Sequence, residues 1–304
     1  MKISVLFYAH NQEEYVGTGL ESILYQEIPD EDSLEVIVID DGSTDGTYEV
    51  MEAWRNDVVS RNLPSTHIEL IRRTPHENLG QSLTLKDGLR RCTGDFIAVL
   101  EGDDYWISKN HLAGLTEKLK EYPTFSAAFS SWLSLNDSQN IEDFRISSSD
   151  TRFMSHIQTF DQLLAFNAPG TLSACVYRTS MVRESMRLLE GADEVADWGL
   201  NLHMSIQGPL YWHPEVTLMY RFVENSLWRR LKPIERVLRE AAVLESYKLS
   251  FPEDLVTIID KRVEALRNSA SVRHRTQLAF RHPYLTFRGL MRRLLPAKDR
   301  TSPR

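Results

Sequence analysis

Four short apolar runs alternate with helical stripes through the first third of this chain, and that alternation constrains the fold more than any other feature. Ile3 to Tyr8 reads as a strand. A polar loop follows, Ala9-His10-Asn11-Gln12, and then Glu13 to Gln26, where Val16, Leu20, Ile23 and Leu24 form a helical stripe. Leu34 to Ile39 is a second, β-branched run. It stops at Asp40-Asp41-Gly42-Ser43-Thr44-Asp45-Gly46, whose Asp, Ser and Thr residues supply N-caps for a helix through about Arg55. His67 to Ile71 is a third strand, Gly80 to Cys92 a third helix, and Phe96 to Leu100 a fourth strand. Strand and helix in turn, without internal repeats, predict an α/β fold with a doubly wound, mostly parallel sheet.

Ligands of such sheets sit beyond the carboxyl ends of the strands. Three polar loops fall there: Tyr8–Asn11, Asp40–Asp45 and Glu101–Asp104. The last carries the carboxylates Glu101, Asp103 and Asp104, with Gly102 between them to allow a sharp bend. Like charges so closely spaced are unfavourable unless something positive sits among them. Hard oxygen ligands of this kind suit Mg²⁺ or Mn²⁺, usually shared with substrate phosphates. Taken alone the loop also reads as an acidic, solvated turn. An α/β sheet with two acidic loops on one rim, however, can bind a nucleoside diphosphate through a divalent cation.

The second half is less regular. Lys109 to Glu121 reads as a helix and Phe125 to Leu135 as a strand, with a polar loop from Asn136 to Ser155. Leu172 to Tyr177 is strand-like, Ser180 to Glu190 helical, Asp197 precedes a helix to about Ile206, and Leu210 to Met219 is another strand. Beyond Trp228 the chain reads as helices broken near Pro252 and Pro283, which places a boundary between residues 1–228 and a helical extension over 229–304.

Charge separates the same two parts. The net charge is −8, but residues 265–304 hold ten Lys or Arg against Asp299 alone, a local +9, so the preceding 264 residues carry −17. An acidic body argues against nucleic acid as its partner, and a basic tail points to an anionic surface. Between Pro283 and Pro296, Tyr284, Phe287, Leu290, Met291 and Leu294 share one helical face with Arg288, Arg292 and Arg293 beside it. Such a face can rest on anionic lipid or pack on protein. No apolar run approaches the roughly 18 residues of a membrane span, Met1 leads straight into a strand, and Cys92 and Cys175 have neither disulfide nor metal spacing. A cytoplasmic protein, peripheral on the membrane at most, is the expectation.

With these residues in view, the chain resembles the inverting glycosyltransferases of family 2, over roughly residues 3–228. Ser4 to Asn11 matches the family's opening strand and loop, and Glu35 to Thr47 its nucleotide-binding motif. Asn78-Leu79-Gly80 matches the segment ahead of the third helix, and Leu100-Glu101-Gly102-Asp103-Asp104-Tyr105-Trp106 the acidic motif in its EGDDYW form. Asp197-Trp198 is similar to the catalytic acidic motif, and Tyr220-Arg221 with Glu224-Asn225-Ser226 to its end. The resemblance implies a GT-A fold, with a donor-binding half over about 1–106 and an acceptor-side half over about 107–228. It implies an enzyme using Mn²⁺ or Mg²⁺ that moves a sugar from a nucleoside-diphosphate sugar to a glycan or lipid-linked acceptor, in polysaccharide or glycolipid biosynthesis. Asp41, with Asp40 behind it, would contact nucleobase and ribose, Glu101 would face the ribose, Asp103 would hold the cation, and Asp197 would be the general base. Tyr8, His10, Asn11, Asn78, Gly80, Lys86 and Asp104 complete the donor set that the resemblance implies.

The chain departs from the family at several of these places. Tyr8 and His10 stand where Pro and Tyr are common, and Glu101 replaces Asp with one more methylene. Leu85 occupies the place of an Arg in the third helix, leaving Lys86 as the nearest cation, and Val223 occupies that of a metal-ligating His. Three other readings compete. A sugar-phosphate nucleotidyltransferase needs a Gly- and Arg-rich loop after the first strand, which Tyr8 to Glu14 does not supply. A calcium- or carbohydrate-binding module would rest on Asp40–Asp45, without the bidentate Glu of a calcium loop. The third is a degenerate, non-catalytic nucleotide-sugar-binding protein.

Overall fold

The computed structural model describes residues 1–61, 66–136, 145–146, 155–189, 197–222 and 231–281. Its first half follows the expected order: β1 (Lys2–Ala9), α1 (Glu13–Leu24), β2 (Ser33–Asp40), α2 (Thr47–Ser60), β3 (Thr66–Arg72), α3 (Gln81–Arg91) and β4 (Phe96–Glu101). The second half holds β5 (Tyr105–Trp106), α4 (His111–Glu121), β6 (Ala127–Asn136), β7 (Arg145–Ile146), β8 (Ile157–Gln158), α5 (Phe160–Ala165) and β9 (Cys175–Arg178). It closes with α6 (Thr179–Leu188), α7 (Asp197–Gln207), β10 (Leu210–Phe222), α8 (Pro233–Tyr247) and α9 (Glu253–Arg281).

One sheet runs β3-β2-β1-β4-β9-β6-β10-β5. β1 to β4 pair in parallel, as do β6 and β10, while β9 lies antiparallel between the two sets. β1 explains why the centre is buried on both faces, as parallel strands generally are. Its alternate residues Ile3, Val5 and Phe7 enter one apolar cluster with α1, α2 and α4, and Leu6 and Tyr8 enter the other. Helices α3, α6 and α7 cover the second face. Among the described residues, no helix is long and apolar enough to cross a membrane.

Several expectations shift. The stretch expected as a strand over Leu172–Tyr177 begins as a 3-10 turn, Leu172–Ala174, so β9 starts at Cys175. β10 continues past Met219 to Phe222, because after irregular register between His213 and Leu218 it regains β6 through Tyr220, Arg221 and Phe222. That continuation brings Tyr220 and Arg221 to the rim where β4 ends. Helices α8 and α9 belong to the main core: Val237, Leu244, Tyr247, Ile259 and Val263 share a cluster with Leu6, Ile97 and Trp198. The tail face over 283–296, Val223 to Ser226 and Glu194, the acid three residues before Asp197 and its nearest alternative as a base, lie outside the described residues.

Candidate active site

The first two loops interlock before any ligand is considered. His10 Nδ1 and Asn78 Nδ2 both reach the Asp41 carbonyl, at 3.0 and 2.6 Å. Asn11 donates its N–H to Ser43 Oγ (2.9 Å) and accepts from the Thr44 N–H at Oδ1 (2.8 Å). The chain turns here at Gly42, whose φ of +76° disfavours a side chain and whose added Cβ would strike the Thr74 carbonyl. Asp40 is wholly buried and accepts from Ser43 N, and burial raises its carboxyl. Asp45 accepts from the Thr47 N–H at 3.0 Å and the Glu13 N–H at 3.3 Å, so it braces the first residues of α2 and α1, while the N-cap of α2 is Gly46.

Asp41 is the hub of this half. Its Oδ1 accepts from Leu79 N (3.1 Å) and its Oδ2 from Gly80 N (2.9 Å), so the carboxylate holds the turn that leads into α3. The cation beside it is Arg73, just past β3, whose Nη1 lies 3.0 Å from Asp41 Oδ1 and whose Nη2 pairs with Asp87. Lys86, expected as the nearest cation, is 4% exposed within α3. Arg73 was legible as part of a basic pair, Arg72-Arg73, where a strand ends opposite acidic loops. Nothing local shows that it would turn inward.

At the end of β4 the carboxylates have different surroundings. Glu101 Oε1 accepts from Tyr8 Oη (3.1 Å) and Gln81 Nε2 (2.8 Å), and Oε2 from Thr171 Oγ1 (3.1 Å). Burial outweighs these donors and raises its pKa. Tyr8 is itself 6% exposed and presents no open ring for stacking on a base. Asp104, expected to face the donor, is 1% exposed instead and accepts from the Arg221 N–H at 3.0 Å, tying β4 to β10. A buried carboxylate needs such donors, and the backbone of β10 supplies one. Asp103 keeps partial exposure; burial and then the Glu101 charge push its carboxyl up to about 7.

Asp197 opens α7 on the same rim. Burial raises its carboxyl to about 6, with the Trp198 N–H opposing the rise, Glu101 adding to it, and Asn167 opposing it through a 2.6 Å hydrogen bond to Oδ2. Tyr220 shows the convergence from the other side. Burial raises its hydroxyl pKa, and so do the charges of Asp104, Glu101, Asp103 and Asp197. The fold thus gathers the acids from the β4 end and from the α7 start around one hydroxyl. Among the described residues, no group of three His, Cys, Asp or Glu is placed to hold a metal ion by itself. The donor chemistry fits a hard divalent cation that takes further oxygens from phosphate: Glu101 and Asp104 are engaged by protein donors, and Asp103 stands partly open beside them.

In an α/β sheet of this kind ligands bind at the carboxyl rim, where these acidic loops stand, and comparison with known proteins specifies the family. The family model described as Glycosyl transferase family 2 matches residues 4–182, and the chain belongs to that family. An uncharacterised protein of Mycobacterium tuberculosis is 27% identical over 226 residues, 74% of this chain and 60% of its own length. The chain therefore spans about 60% of the mycobacterial relatives it matches. TuaG of Bacillus subtilis, named for teichuronic acid biosynthesis, is 25% identical over 256 residues, 82% of this chain and 92% of TuaG. Among solved structures, S. aureus TarS 1–349 in complex with UDP-GlcNAc superposes with a TM-score of 0.61 at 17% identity, covering 85% of this chain and 70% of that one. The mannosyltransferase PcManGT from Pyrobaculum calidifontis, in complex with GDP-Man and Mn²⁺, gives a TM-score of 0.53 at 18% identity, covering 94% and 82%. At these identities the structures speak to the shared GT-A fold.

Proposed function

We propose that this chain is an inverting glycosyltransferase that moves a sugar from a nucleoside-diphosphate sugar to an acceptor hydroxyl, in the assembly of a cell-surface polysaccharide or glycolipid. The observation that carries the reading is the convergence of Glu101, Asp103 and Asp104 with Asp197 around Tyr220 on the carboxyl rim of the sheet. Ligands bound by similar folds, UDP-GlcNAc and GDP-Man, support a donor of this class, and TuaG's name supports a polymer product.

His10, Asn11, Asp41, Asn78 and Gly80 form the wall against which the nucleobase and ribose lie, with Asp40 bracing the turn from behind. Asp41 acts mainly by holding the Leu79 and Gly80 amides in place. Glu101 faces the ribose through Gln81, whose amide a ribose hydroxyl can replace at Oε1. Asp103 is the carboxylate that would hold Mn²⁺ or Mg²⁺, and the cation would offset the charge growing on the leaving diphosphate. Asp197 takes the proton of the acceptor hydroxyl. A sugar hydroxyl is a weak nucleophile at neutral pH, and a carboxyl at about 6 is ionised yet basic enough to accept that proton. Attack from the Asp197 side, opposite the diphosphate, inverts the anomeric carbon.

Release of nucleoside diphosphate from a panel of nucleotide sugars, each with and without Mn²⁺, tests the reading. Turnover of one donor with an inverted product supports it. Donor binding without any turnover favours a non-catalytic nucleotide-sugar-binding protein. A glycan or a lipid-linked glycan serves as acceptor, and the basic face over 283–296 gives the chain a peripheral contact with anionic membrane beside the latter.

A further inference from the structure

Behind Asp197 runs a line of hydrogen bonds with one polarity throughout. Tyr177 Oη, on β9, donates to Asn201 Oδ1 at 2.8 Å. Asn201 Nδ2 donates to Asn167 Oδ1 at 3.3 Å, and Asn167 Nδ2 donates to Asp197 Oδ2 at 2.6 Å. Tyr177 and Asn201 are wholly buried. Asn201 sits four residues after Asp197 on α7, hence on the same helical face, and Asn167 lies in the loop after α5.

A primary amide accepts at one end and donates at the other, so an acceptor-only group at the end of the line fixes the orientation of every amide before it. That group is the ionised Asp197 carboxylate, to which Asn167 must present N–H rather than C=O. Asn201 then donates to Asn167, and Tyr177, which burial keeps protonated, donates at the far end. Reversing either amide would set oxygen against oxygen in a buried site.

We propose that Tyr177, Asn201 and Asn167 form a positioning relay for Asp197: it immobilises Oδ2 and stabilises the ionised carboxylate that takes the proton of the acceptor hydroxyl. The inference rests on the reading of Asp197 as general base, and extends it to residues that touch neither donor nor acceptor. The other groups bearing on Asp197 are the Trp198 N–H on its own helix, Glu101 at the end of β4, Cys175 and Tyr177 on β9, and Tyr220 on β10. Glu101 opposes ionisation, so the relay and the backbone amides of Trp198 and Asp197 are what favour it.

The test combines Asn167→Ala and Tyr177→Phe in the full chain. Titration of the Asp197 carboxyl, followed by NMR of ¹³C-labelled Asp with Asp197→Asn to assign the signal, should show a higher pKa in Asn167→Ala. A rise of about one unit lowers the ionised fraction about tenfold below the limb. The acid limb of kcat/KM should move upward with it, while donor affinity stays within about twofold and the rate recovers above the limb. Tyr177→Phe should give a smaller shift in the same direction, and it preserves the ring if Asn167→Ala proves unstable. A uniform loss of rate with an unchanged limb, or an unmoved Asp197 titration in both variants, overturns the relay. If the titration moves but Asp197→Asn still turns over normally, the base assignment fails and the relay stands.

Discussion

At the scale of single residues, the site separates carboxylates by what already holds them. Asp104 is buried and bonded to the β10 backbone, whereas Asp103 beside it is partly open and lifted by burial and the Glu101 charge. Replacing Asp103 with Asn should therefore abolish the dependence of nucleotide-sugar binding on Mn²⁺, measured by calorimetry with and without the ion. Wild-type binding that is already metal-independent would remove the role from this loop. Asp197 is expected to act on rate alone. Loss of a general base typically costs about 10²–10⁴, so Asp197→Asn should bind donor almost normally and transfer more slowly by that factor. Near-normal turnover, or a product that keeps the donor's anomeric configuration, excludes the assignment.

At the scale of elements, the rim opposite the site is pinned by Glu35 in β2. Burial alone would raise its carboxyl, but hydrogen bonds from Lys2 Nζ (2.6 Å), Ser4 Oγ (2.5 Å) and Thr93 N and Oγ1 (both 2.7 Å) outweigh that and bring it down to about 2. A folded pKa below the unfolded value, near 4.3, stabilises the fold above about 4.3, and that contribution is lost as pH falls through about 2. Urea unfolding between these limits should show the wild type losing more stability than Glu35→Gln. Parallel loss in both proteins would mean that the pin contributes nothing. The same elements also show where local reading works. The strands β1 to β4 and the helices α1 and α3 stand within a residue or two of their expected bounds, because their burial follows local periodicity, whereas α2 runs five residues past Arg55 to Ser60. The two-residue β5 was not legible, since its pairing to Leu218 and Met219 of β10 is set more than 100 residues away.

At the scale of the whole molecule, α8 and the described part of α9 pack into the core. Tyr247 and Leu244 of α8 and Ile259 of α9 are wholly buried, and Arg262 Nη2 donates to the Ala165 carbonyl at the end of α5, 2.7 Å away. Fully burying a large apolar side chain contributes about 1.5–3 kcal/mol. A chain cut after residue 232 should therefore lose its cooperative thermal transition; a melting point within a few degrees of wild type would show the extension to be dispensable. The basic face over 283–296 calls for a separate measurement. Co-sedimentation with anionic vesicles should fall on removal of residues 283–304, and equal pelleting of both chains excludes that face as the membrane contact.

By itself the sequence determined the order of β1 to β4 with their helices, and the rim on which the polar loops gather. These follow from periodicity and turn chemistry, which act over a few residues. Only the tertiary structure decided what each group does there. Thr171 meets Glu101 across 70 residues, Arg221 meets Asp104 across 117, and Arg73 reaches Asp41 across 32. These partners decide which carboxylate is buried and bonded and which stays open. Asn167 is an ordinary polar residue in the sequence. It acquires a role when the fold brings it to Asp197, 30 residues away. A carboxylate's residue type is local, but its charge state and its free lone pairs depend on donors and burial, which exist only once the chain has closed on itself.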